Sequence, residues 1–399
     1  MKAYANFYDG CKVGTKLFFC NMNFNAFFYL DLTDLSTHFI CSLPSAKIDK
    51  LVLSAGQSFV DSNAVYFLPQ SVKDIMRYNF VEKKEQVIPI SDYVGTEFLA
   101  AGFVRCFNQI IIFPYEVQKG VYILDLHTLK VKKDKELSAL MSGISYVNAI
   151  LVCGSRVLIN ENGDDKIIEL DVVDKKIIRT ISLLNDIQIY QMLFDGNHYW
   201  ILQSKSTDIY EWDKENNSLQ KYINRNAVWE SRKCKVSPPY SNLIFLEDEI
   251  LVLNGCLKNI MRINKKARTI ESPILFPEGF QLVNHFFRGW HICNGYCVLG
   301  DKVLIYPCRG NMLLIYDRKN KKLSGKEMTV SETDVPCLRD MVLGAFEDDI
   351  LHFERYNQRK QLNEFIYYIL EKSGNSSTKH DRFGNMGSSI YRMVREIKI

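Results

Sequence analysis

The chain has 399 residues and a formal net charge of +4, from 50 Lys and Arg against 46 Asp and Glu. These charges are interspersed, whereas a nucleic-acid binder needs them clustered, so we expect no nucleic-acid partner. No apolar run is long enough to span a bilayer, and the N-terminal stretch has no signal-peptide core. We therefore expect no membrane span and no export.

Cysteine usage points to a reducing compartment. The 11 cysteines are an odd number, and most lie inside apolar strand patterns, as Cys20, Cys153 and Cys297 do. This is typical of buried free thiols, and a disulfide framework is not expected in a chain of this length. The sequence therefore predicts a cytoplasmic protein. Its hydrophobic content of 47% is sufficient for a packed core.

A repeating unit runs along the chain from the N-terminus to the C-terminus. Each copy has an apolar strand, a turn, a second strand, and a polar anchor residue that closes the second strand. The anchors are Asp31, Asn79, Asp125, Asp171, Asp213, Asn264 and Asp317, and a poorer copy aligns at about Glu371. Successive anchors are 42 to 54 residues apart. Self-similarity at such a period indicates a propeller or a solenoid.

Each anchor is preceded by a short strand rich in β-branched and aromatic residues and bounded by Gly, Asn, Asp or Pro. These strands are predicted at 16–21, 64–69, 109–114, 156–160, 198–203, 249–254, 302–307 and 349–354. Another strand comes before most of them, across tight turns such as Gly154-Ser155. A more polar strand follows the anchor, as at 176–183. Burial that decreases from the first to the fourth strand is typical of a propeller blade.

We therefore expect an all-β fold, a single β-propeller domain over residues 1–399 with four-stranded antiparallel blades. Eight hairpins nearly fill the chain, so eight blades are predicted, with seven as the alternative if the first and last copies share a blade. Pairing of 388–399 with 2–9 would close the ring and remove free sheet edges. Helical apolar spacing is scarce, and only 136–142 could form one or two helical turns.

The nearest approach to a metal motif is His291-x-Cys293-x3-Cys297, whose side chains are of the types that zinc prefers. These three residues would share one face of a strand, but residues six apart are about 20 Å apart, too far for one ion unless the chain turns. Paired Cys-x2-Cys spacing, a phosphate-binding loop and a nucleophile elbow are absent from the sequence. We expect core cysteines and a strand histidine, with neither a metal nor a cofactor.

Bulky polar and aromatic residues gather just ahead of the innermost strand of several predicted blades. In a propeller these connections open onto the central channel at one face, where loops from all blades converge. Arg and Trp in such a setting are typical of binding hot spots. The predicted binding residues are Tyr190, Trp229, Arg232, Arg288, Trp290 and Arg339. The first hypothesis is a cytoplasmic interaction or substrate-recognition module that binds a peptide or protein partner there.

The second hypothesis is an enzyme, such as a lyase, a hydrolase or a peptide-modifying activity, with its site at the same mouth. A histidine would act as general acid or base beside a carboxylate, and Arg288 or Arg339 would clamp an anion. The predicted catalytic residues are His291, His285, Glu230 and Asp340. The sequence leaves the choice between the two hypotheses and the oligomeric state open.

The repeats resemble the diverged bacterial β-propellers that are grouped with the kelch, WD40 and YVTN superfamilies. The sequence context of Asp31, Asp125, Asp171 and Asp317 is most similar to quinoprotein-type or YVTN-type repeats. Kelch blades carry a Gly-Gly doublet, which is absent here, and of the WD40 signatures only Trp212-Asp213 is present. The resemblance implies the propeller fold. It transfers no catalytic residue, because propellers include both binders and enzymes.

Overall fold

Short runs of β-branched and aromatic residues form the strands of this protein. The computed structural model describes residues 4–21, 26–42, 55–69, 74–90, 98–161, 165–183, 187–223, 238–255, 257–282 and 291–331. Within these residues, 28 strands form seven antiparallel sheets of four strands, and in every sheet the strands are adjacent in sequence order. The fold is an all-β propeller, and we number its sheets as blades 1 to 7 along the chain.

Blades 1 to 3 follow one another from the N-terminal side. Blade 1 contains β1 (Gly10–Val13), β2 (Lys16–Cys20), β3 (Ala26–Asp31) and β4 (Thr37–Ser42). Blade 2 contains β5 (Ala55–Asp61), β6 (Ala64–Pro69), β7 (Asp74–Asn79) and β8 (Lys84–Pro89). Blade 3 contains β9 (Ala100–Cys106), β10 (Gln109–Pro114), β11 (Tyr122–Asp125) and β12 (Lys130–Lys133).

Blades 4 to 7 repeat the same order. Blade 4 contains β13 (Val147–Cys153), β14 (Arg156–Glu161), β15 (Lys166–Asp171) and β16 (Lys176–Ser182). Blade 5 contains β17 (Ile189–Phe194), β18 (Tyr199–Gln203), β19 (Ile209–Asp213) and β20 (Ser218–Tyr222). Blade 6 contains β21 (Tyr240–Phe245), β22 (Glu249–Asn254), β23 (Asn259–Asn264) and β24 (Thr269–Leu275). Blade 7 contains β25 (Cys293–Leu299), β26 (Lys302–Pro307), β27 (Met312–Asp317) and β28 (Lys322–Glu327).

Burial differs between the strands of a blade. In β6 and β22 every residue is buried, because neighbouring blades cover both faces of a second strand. In the fourth strand β16 only Ile181 is buried. The first strands of neighbouring blades contact one another, as β9 contacts β13 and β13 contacts β17, so these strands surround the common axis. The predicted polar outer strand is therefore confirmed. The predicted decrease in burial from the first strand is wrong, because first strands such as β9 border the channel and are less buried than second strands such as β10.

Seven apolar clusters hold the blades together, and each joins two neighbouring blades. Phe27 of blade 1 packs against Phe67 of blade 2, with ring centroids 5.1 Å apart, and five further clusters join the blades in order up to blade 7. The seventh cluster contains Phe19 of blade 1 and Leu304 of blade 7. Because blades 7 and 1 pack directly on each other, no blade stands between them. The predicted count of eight blades is wrong, and the alternative of seven is correct, with the first copy forming a complete blade.

The predicted ring closure lies partly outside the described residues, as do 388–399 and the eighth predicted hairpin at 349–354. Within the described part, the N-terminal segment contacts blade 7. Ala5 donates a backbone hydrogen bond to Met328 (2.8 Å), and Phe7 donates one to Pro307 (3.1 Å). All described residues belong to one compact unit, Met1–Met341, and a single domain over the whole chain stays a prediction.

The polar anchors shape the turn between the third and fourth strands. Oδ1 of Asp171 accepts hydrogen bonds from the backbone N–H groups of Val173 and Asp174, both at 3.0 Å. At each of the other anchors, the side-chain Oδ1 likewise accepts one or two hydrogen bonds from backbone N–H groups of the turn that follows. These anchors are Asp31, Asn79, Asp125, Asp213, Asn264 and Asp317. In all seven turns the fourth residue after the anchor has a positive φ of 48° to 60°. The recurrence of the anchors therefore has a structural reason, because an Asx side chain satisfies N–H groups that the turn leaves unpaired.

A short helix, α1 (Lys135–Leu140), lies between β12 and β13. Oδ1 of Asp134 accepts a hydrogen bond from the N–H of Leu137 at 2.9 Å and caps the first turn. The helical signal predicted at 136–142 is thus confirmed within a residue or two. A 3-10 turn, Val117–Lys119, is the other helical element of the described residues, and none of these helices is long and apolar enough to cross a bilayer.

Candidate functional site at the channel mouth

A β-bulge recurs near the start of the first strand in six of the seven blades. The register against the second strand shifts in β5, β9, β13, β17, β21 and β25. A bulge leaves a residue out of the ladder and redirects its side chain. First strands begin and second strands end at the same face of the ring, since they pair antiparallel. The bulged residues therefore gather around one mouth of the central channel.

Tyr190 is the bulged residue of β17 in blade 5, and it contacts His291, which lies just ahead of β25 in blade 7. Its hydroxyl oxygen is 2.6 Å from Nε2 of the imidazole, and the two rings meet edge to face with centroids 5.6 Å apart. This hydrogen bond passes over blade 6 to join blades 5 and 7. Two residues predicted for the mouth, one for binding and one for catalysis, are therefore in direct contact.

His291 is buried against the backbone of blade 6. A Cβ at Gly255, which follows β22, would lie 2.9 Å from Nδ1 of His291 and 2.5 Å from the carbonyl oxygen of Pro238, so only glycine fits there. Nδ1 has no hydrogen-bond partner among the described residues. A buried unpaired lone pair is tolerated better than a buried unpaired N–H, which favours the tautomer with its proton on Nε2. Nε2 then donates to Tyr190, and the Tyr190 hydroxyl keeps its own proton for another acceptor.

The protonation states of the pair are set by its surroundings. Burial, followed by the positive charge of Arg309, lowers the pKa of His291 to about 4, and burial raises the pKa of Tyr190 above its usual value. At neutral pH the imidazole is uncharged and the phenol is protonated. General acid–base catalysis is most efficient when the pKa of the group lies near the working pH. The pair is therefore better suited to offering a fixed hydrogen-bond donor than to exchanging protons.

Four further residues lie at the same mouth. Tyr8 and Asp9 come just before β1, Asn294 lies at the bulge of β25, and Arg309 follows β26. The Asn294 side chain hydrogen-bonds the Tyr8 hydroxyl. Oδ2 of Asp9 accepts hydrogen bonds from the N–H (2.8 Å) and hydroxyl (2.9 Å) of Ser58 in blade 2. Burial raises the pKa of both Tyr8 and Asp9. We call Tyr8, Asp9, Tyr190, His291, Asn294 and Arg309 the mouth cluster.

The other predicted site residues lie outside the described part of the chain. These are Trp229, Glu230, Arg232, His285, Arg288, Trp290, Arg339 and Asp340, and their roles stay predictions. Sequence reasoning missed Tyr8, Asp9, Asn294 and Arg309. One signal was present, because Asn294-Gly295 interrupts an apolar strand pattern in the manner typical of a bulge. Nothing local in the sequence marks Tyr8 or Arg309, which reach the mouth through the closing contact of blades 7 and 1.

The histidine and cysteines of the metal-like motif are not brought together. Cys293 packs between blades 6 and 7, whereas Cys297 packs between blades 7 and 1. The expectation that they share one strand face is wrong, because the bulge between them reverses the alternation of side chains. Burial raises the pKa of the Cys293 and Cys308 thiols, which keeps them protonated and unreactive. The described residues contain no group of three His, Cys, Asp or Glu side chains placed to hold a metal ion.

Comparison with known proteins adds evidence on the fold. No family model matches the chain, and no curated protein matches it in sequence. Solved structures do match. Dihydro-heme d1 dehydrogenase NirN in complex with DHE has a TM-score of 0.51 at 11% identity, over 80% of this chain and 65% of that one. A streptogramin B lyase structure has a TM-score of 0.54 at 14% identity, over 77% and 92% of the two chains.

A third similar structure is KlHsv2 with loop 6CD replaced by a Gly-Ser linker, at a TM-score of 0.51 and 9% identity, over 81% of this chain and 98% of that chain. This chain spans less than two thirds of the NirN chain. At such low identities the likeness establishes a β-propeller with repeated blades and nothing finer. It does not single out the kelch or WD40 superfamily.

Proposed function

We propose that the protein is a recognition module that binds a peptide segment of a partner protein at the channel mouth, in contact with the mouth cluster. The observation that carries the proposal is the Tyr190–His291 hydrogen bond, which holds a tyrosine hydroxyl in place as a donor at the point where the blades converge. A donor held in place in this way binds without losing much side-chain entropy, because it is already ordered in the free protein.

The composition of the mouth cluster supports a peptide ligand. Tyr8, Asp9, Tyr190 and Arg309 are all partly exposed. Tyr190 and Arg309 supply donors, and the Asp9 carboxylate supplies an acceptor. A peptide backbone presents carbonyl acceptors and N–H donors together, and it can satisfy both kinds of group at once. The absence of catalytic motifs from the sequence and the pKa values of the Tyr190–His291 pair also favour binding over catalysis.

Selection from a library of short random peptides, displayed on phage, tests this proposal. We expect the wild-type protein to enrich a family of peptides, and Tyr190→Phe to weaken their binding at least about tenfold, which corresponds to about 1.4 kcal/mol. Tyr29→Phe, which removes a hydroxyl from β3 far from the mouth, is the matched control. Peptides that bind Tyr190→Phe as tightly as the wild type would argue against binding at the mouth.

The second candidate function is an enzyme that uses His291 as a proton acceptor. One observation favours it: the imidazole is neutral at pH 7 and lies near Arg309, which could hold a substrate anion. A bound anion would offset the charge of Arg309 and raise the pKa of His291 toward the range useful for catalysis. The test is a panel of hydrolase and lyase substrates assayed with wild-type protein and His291→Gln. Turnover that His291→Gln abolishes, while peptide binding survives, would favour this candidate over the first.

A further inference from the structure

A groove of about 630 Å³ lies on the same face as the mouth, between blades 3 and 4. Its apolar floor includes Val117 and Ile144, and its walls include Lys133, Lys135, Ser142 and Tyr146. This volume is in the range of sites that bind small ligands or peptide side chains. Tyr146 directly precedes β13, so one end of the groove is next to a first strand of the ring. The groove is separate from the mouth cluster, none of whose residues lines it.

The groove is built on fixed backbone. The connection between β10 and β11 pairs with the segment that leads into β13, through hydrogen bonds from Val117 N to Ser145 O (3.1 Å) and from Val147 N to Tyr115 O (2.8 Å). The ring of Tyr146 packs against that of Tyr115, with centroids 5.5 Å apart, and Tyr146 is 43% exposed. A rigid aromatic side chain of this kind provides contact area at low entropic cost.

The lining of the groove carries two lysines and no described carboxylate, because the nearby carboxylates have partners outside the lining or accept from its backbone. Glu116 pairs with Lys119 (2.9 Å), Asp134 and Glu136 both pair with Lys175 (2.8 and 2.6 Å), and Glu161 accepts a hydrogen bond from the N–H of Ser145 (3.0 Å). Lys133 and Lys135 have no ion-pair partner among the described residues, and no described carboxylate lines the groove. Gly120, at a φ of 87°, allows the Lys133 side chain to cross it, since a Cβ there would overlap that chain. The groove thus combines an apolar floor, an exposed tyrosine and two available ammonium groups.

We propose that this groove binds an acidic peptide segment with one aromatic or large apolar side chain. The apolar side chain would cover Val117 and Ile144 and contact Tyr146, and acidic residues on either side of it would face Lys133 and Lys135. Ammonium groups on flexible stems suit carboxylates at variable positions, whereas recognition of a phosphate would favour the planar fork of arginine. This ligand would contact both the two lysines and the apolar floor. Its binding would therefore depend on apolar contact as well as on charge.

The test is fluorescence anisotropy with a fluorescein-labelled peptide in which one phenylalanine is flanked by glutamates. We expect the wild-type protein to bind it, with affinity falling as salt rises because salt screens exposed charges. Lys133→Glu combined with Lys135→Glu should weaken binding at least about tenfold. The matched control is Lys130→Glu combined with Lys132→Glu. It makes the same charge change on β12, at two lysines that do not line the groove. Replacing the phenylalanine of the peptide by alanine should also weaken binding.

Each outcome decides the proposal. Equal weakening by both double variants would show a general electrostatic attraction and overturn the proposal. An absence of binding to the wild-type protein would also overturn it, and so would binding that does not need the phenylalanine. Inorganic phosphate that displaces the peptide at low concentration would instead indicate an anion site. Tyr190→Phe should leave this peptide's affinity unchanged, so failure here and failure of the proposed mouth function are distinguishable.

Discussion

The hydroxyl oxygen of Tyr190 lies 2.6 Å from Nε2 of His291, although the two residues are 101 positions apart in the chain. The contact joins blades 5 and 7 above blade 6, whose Gly255 leaves just enough space for the imidazole. The hydrogen bond therefore depends on the relative positions of blades 5, 6 and 7.

The first prediction concerns pH. Burial lowers the pKa of His291 from 6.5 to about 4, so the folded protein resists taking up a proton that the unfolded chain accepts. The unfolded state binds more protons in this window, and the free energy of unfolding therefore decreases as pH falls from about 6.5 to 4. The full effect is about 3 kcal/mol. Urea unfolding of wild type and His291→Gln at a series of pH values measures it.

We expect the two stability curves to converge as pH falls, because the variant lacks the titrating group. His127→Gln, which replaces an exposed histidine in the turn of blade 3, should keep the wild-type slope. Parallel curves for wild type and His291→Gln would show that His291 is not held neutral by the fold.

The second prediction is that Gly255→Ala displaces His291. The added Cβ would be 2.5 Å from the carbonyl oxygen of Pro238, so backbone or imidazole must move. We expect a loss of about 1–3 kcal/mol in the free energy of unfolding, as for overpacking elsewhere. We also expect a changed NMR signal for the imidazole of His291. Gly143→Ala is the control, because a Cβ there meets no atom within 4 Å. A variant with unchanged stability and an unchanged His291 signal would contradict the packing described here.

The third prediction concerns Glu169, a fully buried carboxylate of blade 4. Burial opposes its charge, but hydrogen bonds from Arg179 (2.8 Å) and from Lys214 of blade 5 (2.9 Å) hold its pKa below the usual value. Lys214→Met removes one of these donors and should cost about 1–3 kcal/mol, since a buried charge loses part of its compensation. Thermal and urea unfolding measure the loss.

Lys176→Met is the matched control for Lys214→Met. Lys176 also pairs with a carboxylate, that of Asp174 at 2.7 Å, but both side chains are more than half exposed. Water and salt compensate such a pair, so its removal should leave stability unchanged within experimental error. If Lys214→Met and Lys176→Met changed the free energy of unfolding equally, the ion pair that joins blades 4 and 5 through Glu169 would not stabilise the protein.

The fourth prediction concerns the turn after an anchor. Lys83 has a φ of 55°, a conformation that costs most residues about 1–2 kcal/mol and costs glycine nothing. Glycine also makes the unfolded chain more flexible, which offsets part of the gain. Lys83→Gly should therefore raise the free energy of unfolding by about 0.5 kcal/mol. Lys84→Gly, one residue on in β8, should lower it, and the opposite signs of the two variants are the result to check.

The regular features of the fold were predictable because each copy of the repeat carries its own local information. Alternating apolar residues specify the strands, Asx anchors such as Asp171 specify the turns, and tight turns such as Gly154-Ser155 set the register of the hairpins. The second strand of each blade was predicted to within a residue or so, as β6, β10 and β26 illustrate. The number of blades was not local information. It depends on which two sheets meet when the ring closes, and the packing of Phe19 against residues of blade 7 decides it.

The sequence by itself determined the all-β repeat, the polarity of the outer strands and the face on which the first strands begin. That was enough to select Tyr190 and His291 separately as residues of the mouth. Only the tertiary structure decided that they bond to each other, that Tyr8, Asp9 and Arg309 join them, and that Cys293 and Cys297 face opposite sides of their blade. The physical reason is that β-bulges shift side chains by one position and ring closure brings distant blades together, and neither effect leaves a periodic signal in the chain.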